Sequence, residues 1–166
     1  MNQQSKIDYV PAEEDFKLWR FLGHTGYVIS RLRELELARY GLTSEQAYVL
    51  DILNVRGGST TMGDIVAMTF RKHHTISTLI ERMVKRGLVE KKRSREDKRG
   101  YDIVMTKSGQ ALFQKVPRKS IEMAFSTLSK EDKRKLSSLL KTLLTRANEL
   151  SGREFDFAAE DVPCPT

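Results

Sequence analysis

Residues 91–109 read KKRSREDKRGYDIVMTKSG. Six bases and two acids crowd between Lys91 and Arg99. Like charges at this density repel one another, so the run is either solvated or meets an anion. Directly after it, Tyr101, Ile103 and Met105 alternate with Asp102, Val104 and Thr106. That is the period of a half-buried strand. Leu88 to Arg93 reads as its partner, which makes Ser94 to Gly100 the tip of a β-hairpin. Thr106 is placed to cap a helix that begins at Lys107.

Upstream, Ile76, Leu79, Ile80 and Met83 recur at helical spacing, and Gly87 marks a stop, so a helix is expected from Thr75 to Arg86. A shorter helix precedes it, carried by Ile65, Val66 and Met68. Thr61 and Asp64 form its capping box, with Asp in place of Glu. Phe70-Arg71-Lys72-His73-His74 separates the two as a brief break. Two short helices joined by a turn, the second one basic, form a helix-turn-helix. The charged hairpin projecting beyond them is a wing.

Before this unit, GLTSEQAYVLDIL (residues 41–53) begins a helix capped by Thr43 or Ser44, and Gly57-Gly58 ends it. Ala12 to Arg39 reads as a long helix with a stripe of Leu18, Leu22, Ile29 and Leu32, widened by Phe21, Val28 and Leu35; Gly41 ends it. Gly23 and Gly26 lie inside it, either for close packing against another helix or to leave room for a ligand. Beyond the hairpin a helix is expected from Lys107 to about Thr127, kinked or broken at Pro117. Ser129 caps a last helix with a broad stripe from Leu136 to Leu150. The chain is therefore mainly α with a small β-hairpin wing, an α+β arrangement. Residues 1–11 read as a flexible arm, 41–106 as the winged helix-turn-helix domain, 12–40 and 107–151 as a helical region, and 152–166 as a tail.

The chain of 166 residues holds 29 Lys and Arg against 22 Asp and Glu. Its net charge of +7 is confined to Arg71–Arg99, and the remainder is neutral. A focused basic patch implies a polyanionic partner, with nucleic acid ahead of an acidic membrane. No apolar run approaches the roughly 18 residues a spanning helix needs, and Met1–Asp15 lacks the pattern of a signal peptide, so a cytoplasmic protein is expected. The lone Cys164 excludes an intramolecular disulfide and any CxxC metal cluster. His73 and His74 are adjacent and so face different directions on a helix, and no metal is expected. Nothing gathers a nucleophile, a base and an orienting acid, and no phosphate-binding Gly-rich loop is present, so an enzyme is not expected.

The expected DNA contacts follow from these placements. Thr75, Thr78 and Arg82 fall off the apolar stripe of the second helix, where hydroxyls, methyls and a guanidinium reach base edges. Arg71, Lys72, His73 and His74 lie at that helix's N-terminus, which favours a phosphate. On the wing, Arg93, Arg95, Asp97, Lys98 and Arg99 are candidates. Asp97 is placed to hold the Arg99 guanidinium for a narrow minor groove.

GLTSEQAYVLDIL, TISTLIERMVKRGLVEKK and REDKRGYDIVMTKSG together resemble the MarR family of winged-helix transcription regulators. The spacing from RGLV through DKR to MTKSG looks like the family's signature, with Met105 where Leu is usual. The likeness spans about residues 12 to 150. It departs from the family at Phe70–His74, where many relatives carry a Gly-Leu-Ser type turn. The resemblance implies a homodimer, whose interface the first and the last two helices build. It implies a pseudo-palindromic double-stranded DNA operator, with Thr75, Ser77, Thr78 and Arg82 in the major groove and Arg99 in the minor groove. It further implies a repressor with no cofactor, released by a small aromatic or phenolic effector.

For such an effector, Arg20, His24, Tyr27 and Arg31 share one face of the first helix, with Trp19 and Tyr48 as aromatic neighbours. The alternative is a polar helix face beside core aromatics. Two other functions remain: a non-specific architectural nucleic-acid-binding protein, and a scaffold whose basic wing meets an acidic protein.

Overall fold

The computed structural model describes residues 13–69, 71–94 and 100–151. Seven helices and three strands follow in order among these: α1 (Glu13–Ala38), α2 (Ser44–Val55), β1 (Ser59–Thr61), α3 (Met62–Thr69), α4 (His73–Lys85), β2 (Val89–Arg93), β3 (Tyr101–Met105), α5 (Lys107–Lys115), α6 (Lys119–Phe125) and α7 (Lys130–Leu150). The sheet is antiparallel in the order β1-β3-β2, and Ile103 is opposite both Thr60 and Lys91. This is the mainly helical, winged arrangement expected from the sequence.

The core lies almost wholly between α2 and β3. Val49, Leu50 and Leu53 of α2, Ile65 of α3, Ile76, Ile80 and Met83 of α4, and Ile103 of β3 are buried together. Each such side chain contributes about 1.5–3 kcal/mol when taken from water. Helix ends follow the expected stops. Gly87 takes φ +68, which lets its N–H reach the Val84 carbonyl at 2.8 Å and the Leu88 N–H reach Met83 at 3.0 Å. This left-handed C-cap turns the chain directly into β2.

The N-terminal caps are also where the residues placed them. Thr43 Oγ1 accepts from the Gln46 N–H at 3.3 Å, and Gln46 Oε1 accepts from the Thr43 N–H at 3.2 Å. In the second box the Asp64 carboxylate accepts from the hydroxyls of Thr60 and Thr61, each at 2.8 Å, and from the Thr61 N–H at 3.3 Å. Burial pulls the Asp64 carboxyl upward, but these hydrogen bonds outweigh it and hold it below its ordinary value.

Two features differ from the sequence reading. Ser59–Thr61 forms a third strand, β1, on the edge of the hairpin. The second helix of the helix-turn-helix, α4, starts at His73 rather than Thr75, because the Lys72 carbonyl already accepts from the N–H groups of Thr75 and Ile76. The helix after Thr106 breaks into α5 and α6 around Pro117, as expected, since proline lacks the N–H needed to continue it.

Outside the core, α1 and α7 leave large apolar side chains in solvent. Phe16, Leu18, Trp19, Phe21 and Leu22 on α1, and Leu139, Leu143, Leu144 and Leu150 on α7, are all exposed. A Cβ on Gly23 or Gly26 would meet nothing within 4 Å, so neither glycine packs closely within the chain.

The MTKSG stretch has a physical basis. Thr106 Oγ1 accepts from the Gly109 N–H at 3.0 Å and donates to the Gly87 carbonyl at 2.6 Å. This draws the first turn of α5 onto the chain leaving α4. A Cβ on Gly109 would sit 2.1 Å from the Leu88 carbonyl oxygen, a backbone atom that cannot swing aside. Gly109→Ala is therefore expected to destabilise the fold by about 1–3 kcal/mol or more. Urea unfolding measures it; a midpoint equal to that of the wild type would contradict the close approach.

Candidate nucleic-acid interface and effector cleft

Helix α4 has two faces because its apolar residues keep the 3.6 period. Ile76, Leu79, Ile80 and Met83 are buried, while Thr75, Thr78 and Arg82 are exposed and Ser77 is half-buried. The Thr78 hydroxyl donates to the His74 carbonyl at 3.0 Å. It therefore offers lone pairs and a methyl, not its proton, to whatever lies across from it. Arg71, Lys72, His73 and His74 are exposed around the helix start. No side chain caps that start at Lys72.

Two polar ties set the angle of α4. At its C-terminal end Arg86 donates to Gln46 Oε1 at 2.7 Å, so the oxygen that closes the α2 capping box also anchors α4. At its exposed face Glu81 pairs with Lys91 of β2, which holds the Glu81 carboxyl below its ordinary value. The wing's base is closed by Ser94 N–H donating to the Gly100 carbonyl at 3.1 Å, and Arg93 is exposed beside it. Arg95, Asp97, Lys98 and Arg99 lie outside the described residues, as does Cys164.

The six expected effector residues are not brought to one place. Trp19, Arg20, His24, Tyr27 and Arg31 are exposed along α1. Phe16 and Trp19 stack with ring centroids 5.3 Å apart, and Arg31 pairs with Glu34 at 2.9 Å. Trp19, 65% exposed, is no core aromatic of this chain.

Tyr48 instead lines a cleft of about 540 Å³ between α1, α2, α5 and α6. Arg33, Asp51, Phe113, Arg118 and Ile121 line it with Tyr48, and none of these five was singled out from the sequence. Arg118 stands over the Phe113 ring at 5.9 Å and 3.7 Å from Asp51. These residues are scattered along the chain and converge only when α6 turns back at Pro117, so no local spacing announces them. Among the described residues no group of metal-ligating side chains gathers.

The cleft's outer wall hangs on Glu36. This buried carboxylate accepts from Ser120 N–H at 3.1 Å, Ser120 Oγ at 2.5 Å and Arg33 at 2.6 Å. Arg33 also donates to the Pro117 carbonyl at 2.5 Å. Burial raises the Glu36 pKa, yet the hydrogen bonds from Ser120 and the charge of Arg33 win and lower it.

This arrangement defines a winged helix-turn-helix protein with an exposed polar recognition face. Residues 40–100 match the family model described as MarR family. AbsC, a MarR family transcriptional regulator from Streptomyces coelicolor, shares the architecture at a TM-score of 0.76 and 26% identity, over 87% of this chain and 99% of that one. The organohalide sensing RdhR-CbdbA1625 transcriptional regulator, bound to 2,4-dichlorophenol, matches at 0.73 and 22%, over 90% of each chain. A mutant MarR from E. coli complexed with operator DNA matches at 0.69 and 24%, over 79% of this chain and 96% of that one. No curated protein matches the chain. Residues 40–100 are thus similar to the MarR family, and the fold is similar to that of the MarR family regulator AbsC. The resemblance read from the residues is borne out over 40–100, and beyond that segment the likeness is one of fold.

Glu36 yields a pH prediction. A lowered folded pKa contributes stability that is present above the ordinary value of 4.5 and lost as pH falls through the folded value. Glu36→Gln is expected to lose about 1.5–3 kcal/mol at pH 7, the worth of hydrogen bonds to a charged group. Its melting temperature should then fall less than that of the wild type between pH 5 and acid, by circular dichroism. Parallel curves would contradict the assignment.

Proposed function

We propose that this chain is a homodimeric, sequence-specific double-stranded DNA-binding regulator acting in the cytoplasm. It represses transcription at a pseudo-palindromic operator and is released by a small aromatic or phenolic effector. One observation carries the reading. Helix α4 buries four apolar residues in the core and turns Thr75, Thr78 and Arg82 outward beside a basic wing. Helices of this kind enter the major groove with their first turns against base edges. The operator-bound relative supports the same partner here, and the relative with 2,4-dichlorophenol supports a phenolic ligand.

The homodimer rests on the exposed apolar faces of α1 and α7. Monomers in water do not leave patches this extensive without a partner. Trp19, Arg20, His24, Tyr27 and Arg31 lie on the same α1 as that exposed apolar face.

Sedimentation equilibrium is expected to give twice the 19.1 kDa chain mass at micromolar concentration. A monomer would contradict the assembly. Fluorescence anisotropy at about 150 mM salt is expected to favour DNA from upstream of the chain's own gene over scrambled DNA by ~10³-fold. Thr78→Ala should reduce that preference, whereas Arg99→Ala should weaken binding to both. Equal binding of the two DNAs by the wild type would favour an architectural role; no binding to either would favour a protein partner. Added 2,4-dichlorophenol is the first effector probe.

A further inference from the structure

Tyr48 belongs to two places at once. Its ring lines the cleft, and its hydroxyl donates to the Met68 carbonyl at 3.1 Å. Met68 is the second-last residue of α3, so its carbonyl is one that the helix itself leaves without a partner. A few residues later the chain enters α4. Thr69 supports the same end from within, donating to the Ile65 carbonyl at 2.7 Å. The brace from outside comes from Tyr48.

The geometry points to Tyr48 as a positioning residue for the recognition helix: its hydroxyl fixes the end of α3, and with it the turn into α4, from a ring exposed in the cleft. The hydroxyl is a reliable donor. Burial, and then the nearby Asp51 carboxylate, raise its pKa above 10.0, so it keeps its proton at physiological pH. The bond is also vulnerable, because Tyr48 is 47% exposed and one side of its ring faces the cleft. Anything that fills the cleft and turns the ring, or offers the hydroxyl a stronger acceptor, removes the brace. The opposite face of α2 carries Val49, Leu50 and Leu53 in the core, so α2 itself stays fixed while Tyr48 moves. The inference deepens the proposed regulator, since it rests on α4 being the DNA-contacting helix.

Tyr48→Phe removes the hydroxyl and keeps the ring. In the full-length protein, hydrogen exchange of residues 65–69 and 73–76 is expected to quicken about fivefold, the effect of one net hydrogen bond, with β2 and β3 unchanged. Affinity for the chain's own upstream DNA should fall by about the same factor. Affinity for scrambled DNA should stay as in the wild type, a split that a general loss of stability would not produce. Unchanged exchange in those segments, or equal quickening throughout the fold, would overturn the brace. Faster exchange with wild-type affinity for the upstream DNA would overturn the positioning role. If the wild type itself shows no preference between the two DNAs, the DNA reading fails, and the exchange result still decides whether the brace exists.

Discussion

The burial of one face of α4 is the constraint on which the rest depends. Ile76, Ile80 and Met83 meet Val49, Leu50 and Leu53 of α2, with Ile103 of the sheet completing the contact. Interiors of this density do not let a helix roll, because turning α4 by one residue would put a buried apolar side chain in water. Since the buried face is fixed, the outward face is fixed as well. Thr75, Thr78 and Arg82 are presented by the core, not by their own interactions. The wing follows from the same contact, since Gly87 and Leu88 lead straight from α4 into β2 and Lys91 returns to Glu81.

Polar groups refine what the core sets. One oxygen of Gln46 closes the start of α2 and receives Arg86 from the end of α4, which registers the two helices to each other. Thr106 similarly joins the end of α4 to the start of α5. Glu36 ties α1 to α6 and so holds the outer wall of the cleft. Each of these groups is at least partly buried, where losing one partner costs more than the bond gained on folding. The cleft and α4 therefore sit on opposite faces of α2, with Tyr48 reaching from the cleft to the end of α3.

Much of this was legible in the sequence because it depends on local rules. The caps at Thr43, Thr61, Thr106 and Ser129 are set by neighbours three residues away, and the Gly41 and Gly87 stops are set by their own backbone freedom. The stripe of α4 fixed which residues face the core. What was missed depends on distance along the chain. β1 is three residues long, too short for alternation to register, and exists because β3 offers it an edge. The helix start at His73 needed no capping side chain, so no residue signalled it. The cleft joins Arg33 to Arg118 across α1, α2 and the α5–α6 break, and of its lining the sequence pointed to Tyr48 as an effector contact, for its aromatic ring. The stripes on α1 and α7 were visible, but a single chain leaves them uncovered, so periodicity told which faces are apolar and not what covers them.

The central claim is that two copies of this fold read one DNA site through α4. Footprinting the full-length protein on the DNA upstream of its own gene, at about 150 mM salt, tests it most directly. The account predicts one protected region with two-fold sequence symmetry, its half-sites about 10 base pairs or a multiple apart, matching two recognition helices on successive turns of one duplex face. Protection spread evenly along the fragment, or confined to a single asymmetric half-site, would contradict it.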